Sequence, residues 1–183
     1  MRSIALSALM LLLSADRTLA AETSPVAKLD FMRGVWAGPA TGVNRDGSRY
    51  SVWQTERVGP MLGGDLLVIE GRGYATDGAT AFNAFGVISW NAQSQKYEFR
   101  SYAQGRSGTF ELELTSDGYR WEVPAGPGAV MRFTATVKGA EWHEVGEHIA
   151  PGKPPAKTFE MTLKRVGDTD WPLGKPVPAT AGR

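Results

Sequence analysis

The chain has 183 residues, with 20 Lys and Arg, 19 Asp and Glu, two His and no Cys. Its length fits one domain, and its 42% hydrophobic and 21% charged content is that of a globular protein. The absence of Cys excludes disulfides, thiol nucleophiles and thiolate metal sites. The near-neutral charge provides no electrostatic attraction to nucleic acid, so none is expected as a partner.

The N-terminus has the pattern of a secretory signal peptide. Arg2 provides the positive start, residues 4–13 form an apolar run, and Thr18 and Ala20 supply small residues for cleavage. The run is too short to cross a bilayer, and no other stretch is long and apolar enough. We therefore predict a signal peptide over residues 1–20, a periplasmic or secreted product, and no integral membrane span.

A short helical turn is predicted next. Ser24 is a good N-cap residue and Pro25 is tolerated at the first helical position. Val26, Leu29 and Met32 then recur at three-residue spacing, which indicates one apolar stripe.

The remaining chain alternates with the period of two that is typical of half-buried strands. We predict strands over residues 50–58, 66–69 (extending toward 74), 82–90, 97–103, 109–114, 119–123, 131–137, 142–148 and 159–165. Asp-Gly pairs at 46–47, 77–78 and 117–118 suit hairpin turns, because they supply positive φ cheaply. With Trp36 on a first strand, the prediction is an all-β, antiparallel barrel of nine or ten strands over residues 24–168. Residues 169–183, which carry Pro172, Pro176 and Pro178, are predicted to form a flexible tail.

Four segments resemble a calycin-like barrel and, more closely, an uncharacterised family of secreted bacterial proteins of that kind. They are residues 29–38 (LDFMRGVWAG), 63–67 (GGDLL), 86–91 (GVISWN) followed by Lys96-Tyr97, and 157–165 (KTFEMTLKR). In lipocalin-like and nitrobindin-like barrels, a helical turn leads into Gly-x-Trp on the first strand. The resemblance implies an up-and-down barrel with Trp36 packed across its closed bottom.

The chain departs from the nitrobindin-like pattern at one position. Those barrels bind heme through a His near the start of the closing strand, whereas residues 156–159 here read AKTF. No cofactor is therefore predicted. A heme or small-gas protein that uses His143 or His148 instead stays open as an alternative.

Residues 141–148 concentrate His and Glu. On a regular strand, Trp142, Glu144 and His148 share one face and His143 lies on the other. One strand would then not present both His to one ion, so no metal site is predicted.

The aromatic and basic residues on the predicted strands are the candidates for contacts with a ligand. Aromatic rings can line an apolar cavity, and an inward Arg would suit a carboxylate because its planar fork binds both oxygens. The predicted ligand-binding residues are Trp36, Trp53, Arg57, Trp90, Arg100, Tyr102, Trp142 and His148.

Catalytic motifs are lacking: the sequence has no nucleophile elbow, phosphate-binding Gly loop, HExxH or dinucleotide fingerprint. No catalytic residue is predicted, and we expect non-catalytic binding of a small, largely apolar molecule inside the barrel. A cyclase- or isomerase-like barrel enzyme is a further alternative, and a homodimer is possible.

Overall fold

The structure, a computed structural model, describes residues 24–44 and 46–174. A 3-10 helix, Pro25–Met32, precedes ten strands, and a 3-10 turn, Leu62–Gly64, connects the second and third strands. The strands are β1 (Gly34–Val43), β2 (Arg49–Met61), β3 (Leu66–Tyr74), β4 (Thr80–Asn91), β5 (Lys96–Ala103), β6 (Arg106–Leu114), β7 (Gly118–Gly126), β8 (Ala129–Lys138), β9 (Glu141–Ile149) and β10 (Ala156–Gly167).

The strands form one closed antiparallel barrel in which each strand pairs with its neighbours in sequence. β1 closes the barrel by pairing with β2 on one side and β10 on the other. The predicted all-β antiparallel barrel of nine or ten strands is confirmed, with ten. This architecture is consistent with a calycin-like barrel.

The N-terminal 3-10 helix covers one end of the barrel with its apolar stripe. Val26, Leu29 and Met32 are buried, and the Ser24 side chain accepts a hydrogen bond from the backbone N–H of Val26. Trp36 donates from Nε1 to the Met32 carbonyl at 2.9 Å, and the Tyr97 hydroxyl donates to the Pro25 carbonyl at 2.8 Å. These contacts attach the helix to the start of β1 and of β5, so this end is closed.

The Asp-Gly pairs act in two ways. Gly47 and Gly78 adopt positive φ of 84° and 82° in the turns where this was expected. Gly118 instead begins β7, and a Cβ there would lie 1.9 Å from the carbonyl oxygen of Ala135. Glycine at 118 is therefore required by the close approach of β8 and not by a positive φ.

Two predicted segments lie wholly or partly outside the described residues. The predicted signal peptide, residues 1–20, lies outside them, as do residues 175–183 of the predicted tail. Of the tail, Trp171 packs against Phe85 of β4, with ring centroids 6.1 Å apart. Within the described part of the chain, no helix has the length and apolar character needed to span a bilayer.

Candidate functional site

The half of the barrel next to the 3-10 helix has a solid apolar core. Trp36 is fully buried and meets Trp142 edge to face at 5.7 Å. Leu67, Ile88 and Leu163 are also fully buried around them. The helix-proximal half is therefore filled by side chains and leaves its space to no ligand.

An aromatic wall lines the other half of the lumen. On these strands residues of one parity face inward, because their neighbours two positions away, such as Tyr97, Tyr119 and Ala135, are buried. The wall consists of Phe99, Phe110, Trp121, Phe133 and Phe159. Its rings touch in sequence, with centroids 4.8 Å apart for Phe99 and Trp121 and 4.6 Å apart for the stacked pair of Trp121 and Phe133.

The aromatic wall is only half-buried although it faces the lumen. Rings in a filled core would lose their solvent contact, as Trp36 does. The remaining exposure of the wall is therefore toward the end of the barrel that the 3-10 helix does not cover. We call this half of the lumen the cup, and the barrel end that the 3-10 helix does not cover its mouth.

Polar side chains lie between the apolar core and the mouth. Among the described residues, the buried polar or charged side chains are Gln54, Glu56 and Glu144, at 4%, 8% and 7% exposure. Gln54 donates from Nε2 to Glu56 Oε1 at 2.7 Å, and the Tyr119 hydroxyl donates to Glu144 Oε2 at 2.6 Å. We call these four residues the acid cluster.

The environment of the acid cluster favours neutral carboxyl groups. Burial raises the pKa of Glu56 to about 8, and repulsion by Glu144 and Glu70 adds to the effect of burial. Burial likewise raises the pKa of Glu144 to about 7, against the opposing hydrogen bond from Tyr119 and the nearby His143. The pKa of the Tyr119 hydroxyl is raised well above its usual value by burial and by Glu144.

Four of the predicted ligand-binding residues face the lumen. Trp36 and Trp142 belong to the buried core, and Trp90 packs edge to face on Tyr97 at 4.9 Å at the closed end. His148 pairs with Met131 on β8 and Ala156 on β10, on the inward face of β9 and near the mouth. Of these four, His148 lies nearest the mouth.

The other four predicted residues lie on the outer face. Trp53 is 55% exposed and Tyr102 46% exposed, and the Arg100 guanidinium contacts Thr109 on the outside of β6. Arg57 forms an ion pair with Glu70 at 2.6 Å and lies over the Trp171 ring at 4.7 Å. The structure does not bring this second group together with the lumen, so a lumen ligand would not touch them.

The two histidines lie on opposite faces of β9, as strand parity predicts. His143 faces outward and its Nε2 lies 3.1 Å from Glu160 Oε1. Over residues 24–44 and 46–174, no group of three His, Asp or Glu side chains is placed to hold a metal ion. The start of β10, where the resemblance implies a heme ligand, carries Ala156, which pairs with His148 on β9.

Glu56 and Glu144 are not among the residues predicted to bind a ligand. Glu56 shares its parity with Val52 and Val58 on β2, and Glu144 shares its parity with Trp142 on β9. That shared parity is the signal that would have found both carboxyls. On β2 it was obscured by Trp53 and Arg57, whose chemistry suggested an inward position.

The fold places this chain in the class of closed, ten-stranded antiparallel barrels. Among solved structures, the fold is similar to that of Rv2717c from M. tuberculosis, with a TM-score of 0.58. The two chains are 15% identical, and the match covers 79% of this chain and 99% of the other. This likeness shows the fold alone. No family model matches the chain, and no curated protein matches it.

Proposed function

We propose that this protein is an exported, non-catalytic carrier that holds a small, largely apolar molecule in the cup. The observation that carries the proposal is the aromatic wall, whose rings face the lumen yet stay half-exposed. Small-molecule sites are typically concave and mostly apolar, with a few polar groups that fix orientation. The aromatic wall and the acid cluster supply these two components.

The resemblance to secreted bacterial calycin-like proteins and the signal-peptide pattern support the export part of the proposal. Export would place the carrier in the periplasm or outside the cell. Fractionation of cells that express the full chain tests this part. Mature protein that lacks about the first 20 residues should appear outside the cytoplasm, and full-length cytoplasmic protein would contradict export.

Native mass spectrometry of the mature protein, followed by denaturation, tests ligand binding. We expect a discrete extra mass that is lost on unfolding. A bare mass that persists after addition of fatty acids and of hemin would mean that the aromatic wall is core packing. Bound hemin that is lost in His148→Ala, but kept in His143→Ala, would favour the heme alternative.

A blocking variant tests whether the ligand binds in the cup. Ser101 faces the lumen between Gly86 and Gly108, whereas Ser107 is exposed on the outer face. Ser101→Trp should abolish binding, because the indole would project into the lumen beside the Phe99 and Phe110 rings, which already cover the two glycines. Ser107→Trp is the matched control and should bind normally. Equal binding by both folded variants would place the ligand elsewhere.

The acid cluster favours one second candidate, a cyclase- or isomerase-like enzyme. Carboxyls with pKa values of about 8 and about 7 can donate and accept protons near neutral pH. The ligand recovered by mass spectrometry distinguishes the two candidates. A carrier returns it unchanged after long incubation, whereas an enzyme converts it and loses that activity in Glu56→Gln or Glu144→Gln.

A further inference from the structure

The acid cluster lacks a basic partner. Among the described residues, the buried polar or charged side chains are two acids and one amide, and none is a Lys or Arg. Basic side chains on the neighbouring strands form ion pairs outside the acid cluster, as Arg57 does with Glu70 and Arg132 with Glu122. The lumen thus carries acidic groups that the described chain does not neutralise.

The hydrogen bonds of the acid cluster are also incomplete. The described residues supply one hydrogen bond to each carboxyl, from Gln54 and from Tyr119. The indole N–H of Trp142 lies close enough to the Tyr119 hydroxyl to favour its ionised form. This N–H is buried, yet it makes no hydrogen bond to any described residue. The indole N–H needs an acceptor, so it does not favour an ammonium group; the capacity open to a bound donor is the oxygen of each carboxyl that accepts no hydrogen bond from the described residues.

The aromatic wall adds a second preference for positive charge. The faces of Trp, Tyr and Phe rings attract cations, Trp most strongly, and the attraction increases where water is excluded. Trp121 is at the centre of the wall, in contact with Phe99, Phe110 and Phe133. Acids at the base of a cup and π faces along its side both favour a cationic group.

We propose that the ligand is an organic amine, whose apolar body contacts the aromatic wall and whose ammonium group binds Glu56 and Glu144. This inference rests on the proposed carrier function and specifies its ligand class. A carboxylate ligand would add a further negative charge beside two acids. An alcohol would not supply a charge that offsets the two acids when they ionise.

The proposal predicts that the affinity for an amine depends on pH. The amine enters as an ammonium ion, and each carboxyl that pairs with it releases its proton to solvent. Glu70, Tyr119 and His143 are the other titratable groups that act on the two carboxyls, and His148 faces the lumen further toward the mouth on β9. Because protons compete with the ammonium group, amine affinity should rise from about pH 5.5 to about pH 8, while the affinity of a neutral ligand should not.

Calorimetric titration with two matched sets of probes tests the proposal. One set is 2-phenylethylamine, 2-phenylethanol and phenylacetate, and the other is octylamine, octanol and octanoate. We expect the amines to bind at least about tenfold more tightly than their neutral and anionic counterparts at neutral pH. The difference in binding enthalpy between two buffers of different ionisation enthalpy should show that amine binding releases protons.

Matched variants connect the preference to the acid cluster. Glu56→Gln and Glu144→Gln should each remove most of the amine preference and the proton release, with little effect on alcohol binding. Glu111→Gln, which changes an exposed acid on β6 that pairs with Lys96, is the control and should keep both.

The outcomes separate the two proposals. Alcohols or carboxylates that bind in the cup as tightly as the amines would overturn the amine inference and leave the carrier function standing. If no probe binds and native mass spectrometry shows a bare protein, both proposals fail. An amine preference that survives both Gln variants would overturn the role of the acid cluster.

Discussion

Single residues determine how the stability of the barrel depends on pH, and Glu56 has the largest effect. Its folded pKa of about 8 lies above its ordinary value of 4.5. A raised carboxyl pKa stabilises the folded state below the unfolded pKa, and this contribution is lost as pH rises through the folded pKa. We therefore expect the melting temperature of the wild type to fall between about pH 5 and about pH 8.5, by an amount that reflects several kcal/mol.

Glu56→Gln should flatten this fall, since an amide is neutral at every pH. Its melting temperature should match that of the wild type near pH 5 and exceed it near pH 8.5, as followed by circular dichroism. The melting temperature of Glu111→Gln, which changes an exposed side chain, should vary with pH as that of the wild type does. A Glu56→Gln curve parallel to the wild type would mean that Glu56 is ionised throughout this range.

Residue-scale prediction from the sequence succeeded where chemistry and parity agree. Phe110 and Leu112 on β6, and Tyr119 and Trp121 on β7, face inward as alternation predicts. On β2 the two signals conflict, because Glu56 faces inward and the large apolar Trp53 faces outward. Strand parity divides the residues of a strand between two faces but does not tell which face lines the lumen. Prediction of the acid cluster requires that second piece of information.

At the scale of strands, the pairing of β1 with β10 requires a residue without a side chain at position 38. A Cβ at Gly38 would lie 2.2 Å from the carbonyl oxygen of Thr162, and backbone is the group least able to move. Gly38→Ala should therefore lower the free energy of unfolding by about 2 kcal/mol or more in urea denaturation. Gly167→Ala, at the end of β10 with no atom within 4 Å, should change it by less than about 0.5 kcal/mol.

The segment after β10 is a second strand-scale feature. Trp171 packs on Phe85 and under the Arg57 guanidinium, and its Cβ lies close to Gly59. Trp171→Ala should cost about 1–2 kcal/mol of unfolding free energy through lost aromatic and cation–π contacts. Leu173→Ala, at a side chain that is 65% exposed, is the control and should cost almost nothing. Equal effects would mean that the segment does not stabilise the barrel.

Helix and strand prediction was more complete than site prediction for a physical reason. Alternation along β9 and the Asp-Gly turns are local signals, and they were enough to predict an antiparallel barrel. The exposed wall depends on the register between paired strands, such as Phe159 of β10 opposite Gly146 of β9. No local pattern indicates which part of such a lumen is filled by side chains and which part is exposed to solvent.

For the whole molecule, the seam between β6 and β7 is the place where the barrel can open. These strands pair only from Leu112 to Leu114 with Trp121 to Tyr119, at the closed end. β1, by contrast, pairs with β2 along its entire length, from Gly34 to Val43. Toward the mouth, the contact between Phe110 and Trp121, at 5.6 Å, bridges the seam in place of backbone hydrogen bonds.

Hydrogen exchange followed by NMR should detect this seam, because amides without a partner exchange faster than amides in a ladder. We expect alternate amides of residues 106–111 and 122–126 to exchange fastest among the strands, and those of β1 to exchange slowly. Phe110→Ala should accelerate exchange along the seam and speed ligand release, while β1 keeps its protection. Uniform protection of all ten strands, in the wild type and in Phe110→Ala, would leave the mouth as the route into the cup.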